Sequence, residues 1–229
     1  MIAFKRTADR CGIVEWALPS EQGRMYVVVG DPGQGNAPYR NAPVVMTYDL
    51  TGFPQQPARM RRFWWGFGDG LYAPFYRQFS EQMIEFGCAG VYDATGAQKA
   101  FGEGNEFAVP AHLPVLGVDL SGTYKMYYLI LLKKMMGKGL LQWPDEIKGI
   151  RHQFKSYRLP DKKIAQDIVS AHVLLAAYVT TYLRVDFDEK EEDVVPVNYQ
   201  DRHSRPLADR HSREVDRMAE DGLDLAAVG

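Results

Sequence analysis

The sequence of 229 residues predicts an α/β domain built on a mixed β-sheet, and three observations support this fold class. First, residues 25–31 read MYVVVGD, a continuous β-prone apolar run that is typical of a strand buried on both faces. Second, two more strand patterns follow with only loops between them, which predicts an antiparallel meander. Third, a helix pattern and a short strand come next, which predicts a crossover that returns parallel to the first strand.

The first half of the chain supplies most of this sheet. Strands are predicted at residues 43–50 and 60–67, and the second of these alternates basic and aromatic side chains. A helix is predicted over residues 73–86, because large apolar side chains recur there at spacings of three and four and Gly87 follows as a stop. The next strand covers residues 90–93 and ends on an aspartate.

The second half is predicted to be mainly helical. A strand at residues 113–118 precedes a helix over residues 123–136, and a short helical segment follows at residues 143–154. A long helix is predicted over residues 161–184, because Pro160 precedes it and an apolar stripe runs along it. The sheet is therefore expected to be flanked by helices.

Composition divides the chain into three parts. Residues 1–24 are mixed and are interpreted as an N-terminal lead-in, and residues 25–184 form the predicted domain. Residues 185–229 begin with an acidic run and contain few large apolar side chains, so we expect a charged, flexible tail.

The bulk composition excludes several classes of protein. The formal net charge is −2, so nucleic-acid binding requires a local basic patch and not a global positive field. The two cysteines form no C-x-x-C pair, which argues against a disulfide framework and a zinc site and fits a reducing cytoplasm. The longest weakly polar run covers residues 168–183 and is shorter than the ~20 residues that span a bilayer. We therefore expect a soluble protein without a membrane partner.

A carboxylate ends each of two predicted strands, and another lies near the start of the last predicted helix. The order of elements matches the ribonuclease-H-like architecture, in which the first and fourth strands lie side by side, so Asp31 and Asp93 should be neighbours. A third acid in such folds comes from a late helix, where Asp167 lies. Like charges this close need a counter-charge. Two Mg²⁺ or Mn²⁺ ions would supply it, because these cations prefer hard oxygen ligands. Such a pair suits phosphodiester hydrolysis.

Four sequence blocks resemble the nuclease domain of tailed-phage terminase large subunits: VVVGDPGQG, VYDATG, TYKMYYLILLKKMMGKGLLQWP and LPDKKIAQDIVSAHVLLAAY. The resemblance covers residues 25–184. It implies that Asp31, Asp93 and Asp167 are the catalytic and metal-binding acids of a two-metal endonuclease that cuts concatemeric double-stranded viral DNA in the host cytoplasm. It also implies a packaging ATPase domain or subunit, a small terminase subunit and a portal as partners.

The chain departs from this family in two respects. It has no G-x-x-x-x-G-K-[ST] phosphate-binding loop, so we expect a separated domain, a truncated product or the product of a split gene, and not the translocating motor. Family members often place two acids together in the last helix, whereas this chain has Gln166 and Asp167. Asp161, two turns earlier, is the alternative ligand, and His172 is either a packed helix residue or an assistant in proton transfer or metal binding.

Four basic residues are candidates for contacts with DNA phosphates: Lys99, Lys125, Arg61 and Arg62. The alternative for Arg61 and Arg62 is a half-exposed strand, basic outside and aromatic inside, and for Lys125 it is a solvated helix face. Two other functions stay open from the sequence. One is another ribonuclease-H-like nuclease of the resolvase or transposase type, and the other is a non-catalytic module that docks a motor to the portal.

Overall fold

One mixed sheet of eight strands organises the parts of the chain that the computed structural model describes, which are residues 2–6, 12–33, 42–67, 72–95, 107–157 and 166–187. The strands are β1 Ile2–Arg6, β2 Gly12–Ala17, β3 Tyr26–Asp31, β4 Val44–Asp49, β5 Ala58–Phe67, β6 Ala89–Asp93, β7 Val115–Val118 and β8 Leu141–Gln142. The helices are α1 Tyr72–Phe86, α2 Gly122–Gly137, α3 Lys148–Ser156 and α4 Asp167–Thr181.

The strand order is β1-β2-β5-β4-β3-β6-β7, and β8 pairs with the first residues of β5. β3, β4 and β5 form the predicted antiparallel meander, and β6 returns parallel to β3. The fully buried apolar run of β3 explains its place in the middle of the sheet. The predicted α/β fold with its ribonuclease-H-like order of strands is therefore confirmed.

Helices cover both faces of this sheet. α1 packs on one face, where its aromatic side chains meet Val28 and Val45, and α2, α3 and α4 pack on the other, against Val27, Val29 and Met46. Alternate residues of β3 thus enter opposite cores, as the two-residue period of a strand requires. The face covered by α4 is the one that matters for the acidic residues described below.

Two glycines let α1 lie directly on the backbone of β3 and β6. A Cβ atom added to Gly30 would lie 2.8 Å from Cδ2 of Phe79, and one added to Gly90 would lie 2.5 Å from Cε1 of the same ring. These distances are shorter than real carbon contacts, so a side chain at either position would displace α1. The two glycines therefore set how closely the layers approach.

The N-terminal segment contributes two strands that were not predicted from the sequence. β1 pairs antiparallel with β2, and β2 pairs antiparallel with β5, where Trp16 lies opposite Phe63. We expected a lead-in here because polar and apolar residues are mixed along residues 1–24. In the structure three of the six residues of β2 are only partly buried, which fits this weak pattern. The prediction for residues 1–24 therefore missed one edge of the sheet.

The last helix is shorter than predicted. α4 begins at Asp167, because Gln166 has φ −138° and ψ −3°, outside the helical region, and it ends at Thr181. After the helix Arg184 takes a positive φ of 56°, and the chain turns back so that Phe187 is buried in the core. Packed chain thus reaches three residues beyond the predicted domain boundary at residue 184. The remainder of the predicted tail, residues 188–229, lies outside the described residues.

Of the helices in the described ranges, none has both the length and the apolar composition that crossing a bilayer requires.

Candidate functional site

Asp31 and Asp93 end two adjacent parallel strands. Val29 of β3 lies opposite Val91 of β6 and Gly30 lies opposite Tyr92, so the next position in this register pairs the two aspartates. Val29 and Val91 face the core that contains α4. Because side chains alternate along a strand, Asp31 and Asp93 point to that same face.

Asp167 is the first residue of α4, the helix that packs on this face of the sheet. Only 2% of its surface is exposed, against 6% for Asp31. A carboxylate in the first helical turn is favoured by the partial positive charge at the helix N-terminus, which partly offsets the cost of its burial. The structure therefore brings together the three aspartates that the sequence singled out.

Short turns hold the two strand-end carboxylates. Oδ1 of Asp31 accepts a hydrogen bond of 2.8 Å from the backbone N–H of Gly33, and Oδ1 of Asp93 accepts one of 2.9 Å from the backbone N–H of Thr95. The Thr95 hydroxyl in turn accepts a 2.8 Å bond from the Leu120 N–H. These turns hold both carboxylates at the ends of their strands.

Burial makes all three carboxylates reluctant to ionise. Desolvation raises the pKa of Asp31 well above its usual range, and repulsion by Asp93 and Asp167 adds to the effect. Desolvation also raises the pKa of Asp93, and it raises the pKa of Asp167 to about 7. The three groups thus form one site of concentrated negative charge that a cation would stabilise.

Lys125 supplies a positive charge to this site from the first turn of α2. Its ammonium lowers the pKa of each of the three aspartates and donates a 2.8 Å hydrogen bond to Oε1 of Gln166. The sequence indicated a solvated basic face or a DNA contact for this lysine. Its partner is 41 positions away in the chain, so no local pattern could have revealed the pairing.

The residues present suit a hard divalent cation, although the side chains are not arranged as a finished cage. Oδ2 of Asp167 is buried without a hydrogen-bond partner, a costly state that a cation would relieve. Three carboxylates are also the oxygen donors that Mg²⁺ and Mn²⁺ prefer. In the described part of the chain, no three acidic, histidine or cysteine side chains already surround one point closely enough to hold an ion. Shared coordination therefore requires rotation of these side chains.

A fourth carboxylate lies at the rim of the site. Val118 of β7 pairs with Asp93, and the next residue, Asp119, adds its charge to those that raise the pKa of Asp93. Asp119 also accepts a 2.8 Å hydrogen bond from the Ser121 N–H just before α2, as turn aspartates commonly do. Asp119 directly follows β7, the strand next to β6. This position in the sequence could have indicated that Asp119 lies near the three aspartates.

Arg61 and Arg62 lie away from the aspartates and are engaged in ion pairs. Arg61 pairs with Glu21, and Arg62 pairs with Glu85 of α1. Arg62 lies opposite Thr47, three positions along β4 from the residue opposite Asp31, which corresponds to about 10 Å. The predicted contacts of these arginines with DNA stay predictions that their ion pairs do not favour.

Of the remaining candidate site residues, the structure describes His172 but not Lys99 or Asp161. His172 is fully buried in the core, and its two ring nitrogens lie 2.7 Å from the Tyr48 hydroxyl and from the Ile168 carbonyl oxygen. Desolvation lowers its pKa to about 4, so it is neutral near pH 7 and agrees with the packed-helix interpretation. Lys99 and Asp161 lie outside the described residues.

Comparison with known proteins finds similarity at the level of the fold. No protein-family model and no curated protein sequence matches the chain. Among solved structures, the chain is similar to the zinc-bound large terminase nuclease from thermophilic phage G20c, with a TM-score of 0.54 and 15% identity over 80% of this chain and 93% of that one. A second structure of that nuclease gives a TM-score of 0.51 and 14% identity, covering 78% of this chain and 91% of the other.

These neighbours agree with the resemblance that the sequence blocks indicated. The likeness spans 93% of the compared nuclease. The chain therefore has the fold of the phage large-terminase nucleases.

Proposed function

We propose that this chain is the metal-dependent endonuclease domain of a viral DNA-packaging terminase and cuts concatemeric double-stranded DNA by two-metal phosphodiester hydrolysis. The observation that carries the proposal is the convergence of Asp31, Asp93 and Asp167 at the ends of the interior strands β3 and β6, where burial and mutual repulsion favour a bound cation. The likeness to a large terminase nuclease and the zinc bound by one neighbour support it.

The three aspartates would hold the ions, and Asp31 is the one whose pKa is raised by the charges of both other carboxylates. Mg²⁺ or Mn²⁺ at such a site supplies an activated water for in-line attack and stabilises the departing 3′ oxygen. Lys125 favours the ionised form of the carboxylates through its positive charge, which opposes the rise in the pKa of each. The turns at Gly33 and Thr95 orient the strand-end ligands.

In this proposal the domain acts in the host cytoplasm beside a packaging ATPase domain or subunit, a small terminase subunit and the portal. Lys125 and Lys99 would contact the DNA backbone, and cutting should show little sequence preference because phosphate contacts carry no base information.

The test is cleavage of supercoiled plasmid DNA with Mn²⁺ or Mg²⁺, followed by separation of nicked and linear products. We expect cleavage by the wild-type protein, none with EDTA, and loss to background in Asp31→Asn, Asp93→Asn and Asp167→Asn. A metal ligand loses most of its coordinating charge when an amide replaces the carboxylate.

Asp49→Asn is the matched control. Asp49 is also a buried aspartate at a strand end, with a 2.9 Å hydrogen bond from the N–H two residues on, but it lies at the opposite end of the sheet beside Arg24. Its substitution should leave cleavage intact. Undiminished cutting by Asp31→Asn, or equal loss in Asp49→Asn, would contradict the proposal.

A further inference from the structure

Gln153 of α3 holds the start of α4 from outside that helix. Its Oε1 accepts a 3.0 Å hydrogen bond from the backbone N–H of Ile168, the residue next to Asp167. The first N–H groups of a helix have no partner within it and are usually satisfied by the preceding residue. Here Gln166 precedes the helix, but its side chain makes no cap and accepts the bond from Lys125.

The Gln153 amide nitrogen and the Asp167 carboxylate each lack a hydrogen-bond partner. Nε2 of Gln153 is a buried donor without a hydrogen-bond partner, and Oδ2 of Asp167 is a buried acceptor in the same condition. Gln153 is 2% exposed, as is Asp167, so bulk water does not satisfy either atom. The two atoms belong to side chains linked through a single residue, Ile168, and their chemistry is complementary.

We propose that Gln153 is the positioning residue of Asp167, an inference that rests on the proposed function. Its oxygen fixes the backbone at the start of α4, and with it the position of Asp167. Its amide N–H is the donor that Oδ2 would gain when the Asp167 side chain rotates to coordinate the ion. Hydrogen-bonded partners of metal ligands act in this way, and their loss typically weakens metal affinity about 10-fold or more.

Gln82 of α1 provides a close control for the packing role of a buried glutamine. It is fully buried, its Oε1 accepts a 2.7 Å hydrogen bond from the Thr47 hydroxyl, and its Nε2 also has no partner. It differs in lying on the opposite face of the sheet, among the α1 contacts. Gln82→Leu and Gln153→Leu therefore remove the same groups from equally buried places, only one of which touches α4.

The experiment measures the Mn²⁺ dissociation constant of both variants and the wild-type protein by calorimetry. Hydrogen exchange of the Ile168 amide in metal-free protein is the second measurement. We expect Gln153→Leu to weaken Mn²⁺ binding about 10-fold and to speed exchange at Ile168. We expect Gln82→Leu to leave both within twofold of wild type, even if both variants unfold at a lower temperature.

Equal Mn²⁺ affinity in Gln153→Leu and wild type, or equal weakening in both variants, overturns the positioning role. Unchanged exchange at Ile168 overturns the cap. Absence of Mn²⁺ binding by the wild-type protein instead overturns the proposed function, and the positioning role falls with it, while faster exchange at Ile168 in Gln153→Leu would still support the cap alone.

Discussion

The Tyr48 hydroxyl and Nε2 of His172 lie 2.7 Å apart and join β4 to α4 inside the core. Nδ1 of the same ring lies 2.7 Å from the Ile168 carbonyl oxygen, which can only accept, so Nδ1 carries the ring proton. The tyrosine hydroxyl therefore donates to Nε2 of a neutral imidazole. This chain of two bonds locks the helix that begins with Asp167 onto the sheet.

Tyr48→Phe should destabilise the protein by about 1–3 kcal/mol, because it leaves Nε2 of a fully buried histidine without its donor. Urea denaturation measures the free energy of unfolding. Tyr26→Phe is the control, since the Tyr26 hydroxyl bonds the Glu21 backbone in a part-buried position where water can replace it. Equal losses in the two variants would argue against a special role for the buried pair.

The burial of His172 predicts a loss of stability in acid. Burial lowers the pKa of His172 from its usual 6.5 to about 4 in the folded protein, so the unfolded state binds the proton more tightly. The free energy of unfolding that depends on neutral His172 is fully present above pH 6.5. It is lost as the pH falls from 6.5 to 4, for a total of roughly 3 kcal/mol. His172→Phe should flatten this part of the curve of unfolding free energy against pH. An unchanged slope between pH 6.5 and 4 would contradict the assignment.

Asp167 predicts the opposite dependence on pH in metal-free protein. Burial raises its pKa from 3.8 to about 7, so the charged form destabilises the fold above pH 7 and stability returns as the pH falls toward 4. Asp167→Asn should therefore raise the unfolding free energy at pH 8 in EDTA by roughly 2–4 kcal/mol. Thermal denaturation in EDTA measures it, and a variant less stable than wild type at pH 8 would contradict the reasoning.

Much of the fold was readable from the sequence because β3, β4, α1 and β6 carry strong local patterns. The apolar run before Asp31 could only be a buried strand, and the spacing of Phe75, Phe79 and Met83 could only be one face of a helix. β1 and β2 were missed because both are short and neither carries the continuous apolar run or the strict alternation that marks a strand. What places Trp16 in the sheet is its pairing opposite Phe63, a contact with no local signature.

The sequence predicted the three aspartates of the site but not the residues that hold them. The positions of Asp31 and Asp93 follow from strand order, and Asp167 follows from the ribonuclease-H-like architecture, whose third acid comes from a late helix. The partners of these acids come from distant elements: Lys125 bonds Gln166 across 41 positions, and Gln153 bonds Ile168 across 15. Such pairings depend on how helices pack, which periodicity does not encode.

Gly90→Ala should destabilise the protein by about 1–3 kcal/mol, because the new methyl group would lie 2.5 Å from Cε1 of Phe79 and push α1 off the sheet. Gly137→Ala is the control, since no atom lies within 4 Å of its added methyl and alanine favours a helix. Thermal denaturation compares the two. The added methyl would also clash with Sδ of Met83. The loss caused by Gly90→Ala should be smaller in a Phe79→Leu background than in the wild-type background, and an equal loss in the two backgrounds would contradict a steric cause at Phe79.

Lys125→Met should lower the unfolding free energy of metal-free protein at pH 8 by about 1–2 kcal/mol, because it removes both a charged hydrogen bond and the cation beside three carboxylates. At pH 5 the loss should be smaller, since Asp167, with its pKa near 7, is then protonated. Lys148→Met is the control: this lysine also lies in the first turn of a helix but is exposed, so its loss should cost nothing at either pH. Urea denaturation at the two pH values in EDTA measures the difference. A loss that is equal at pH 5 and pH 8 would mean that Lys125 acts through packing and not through charge.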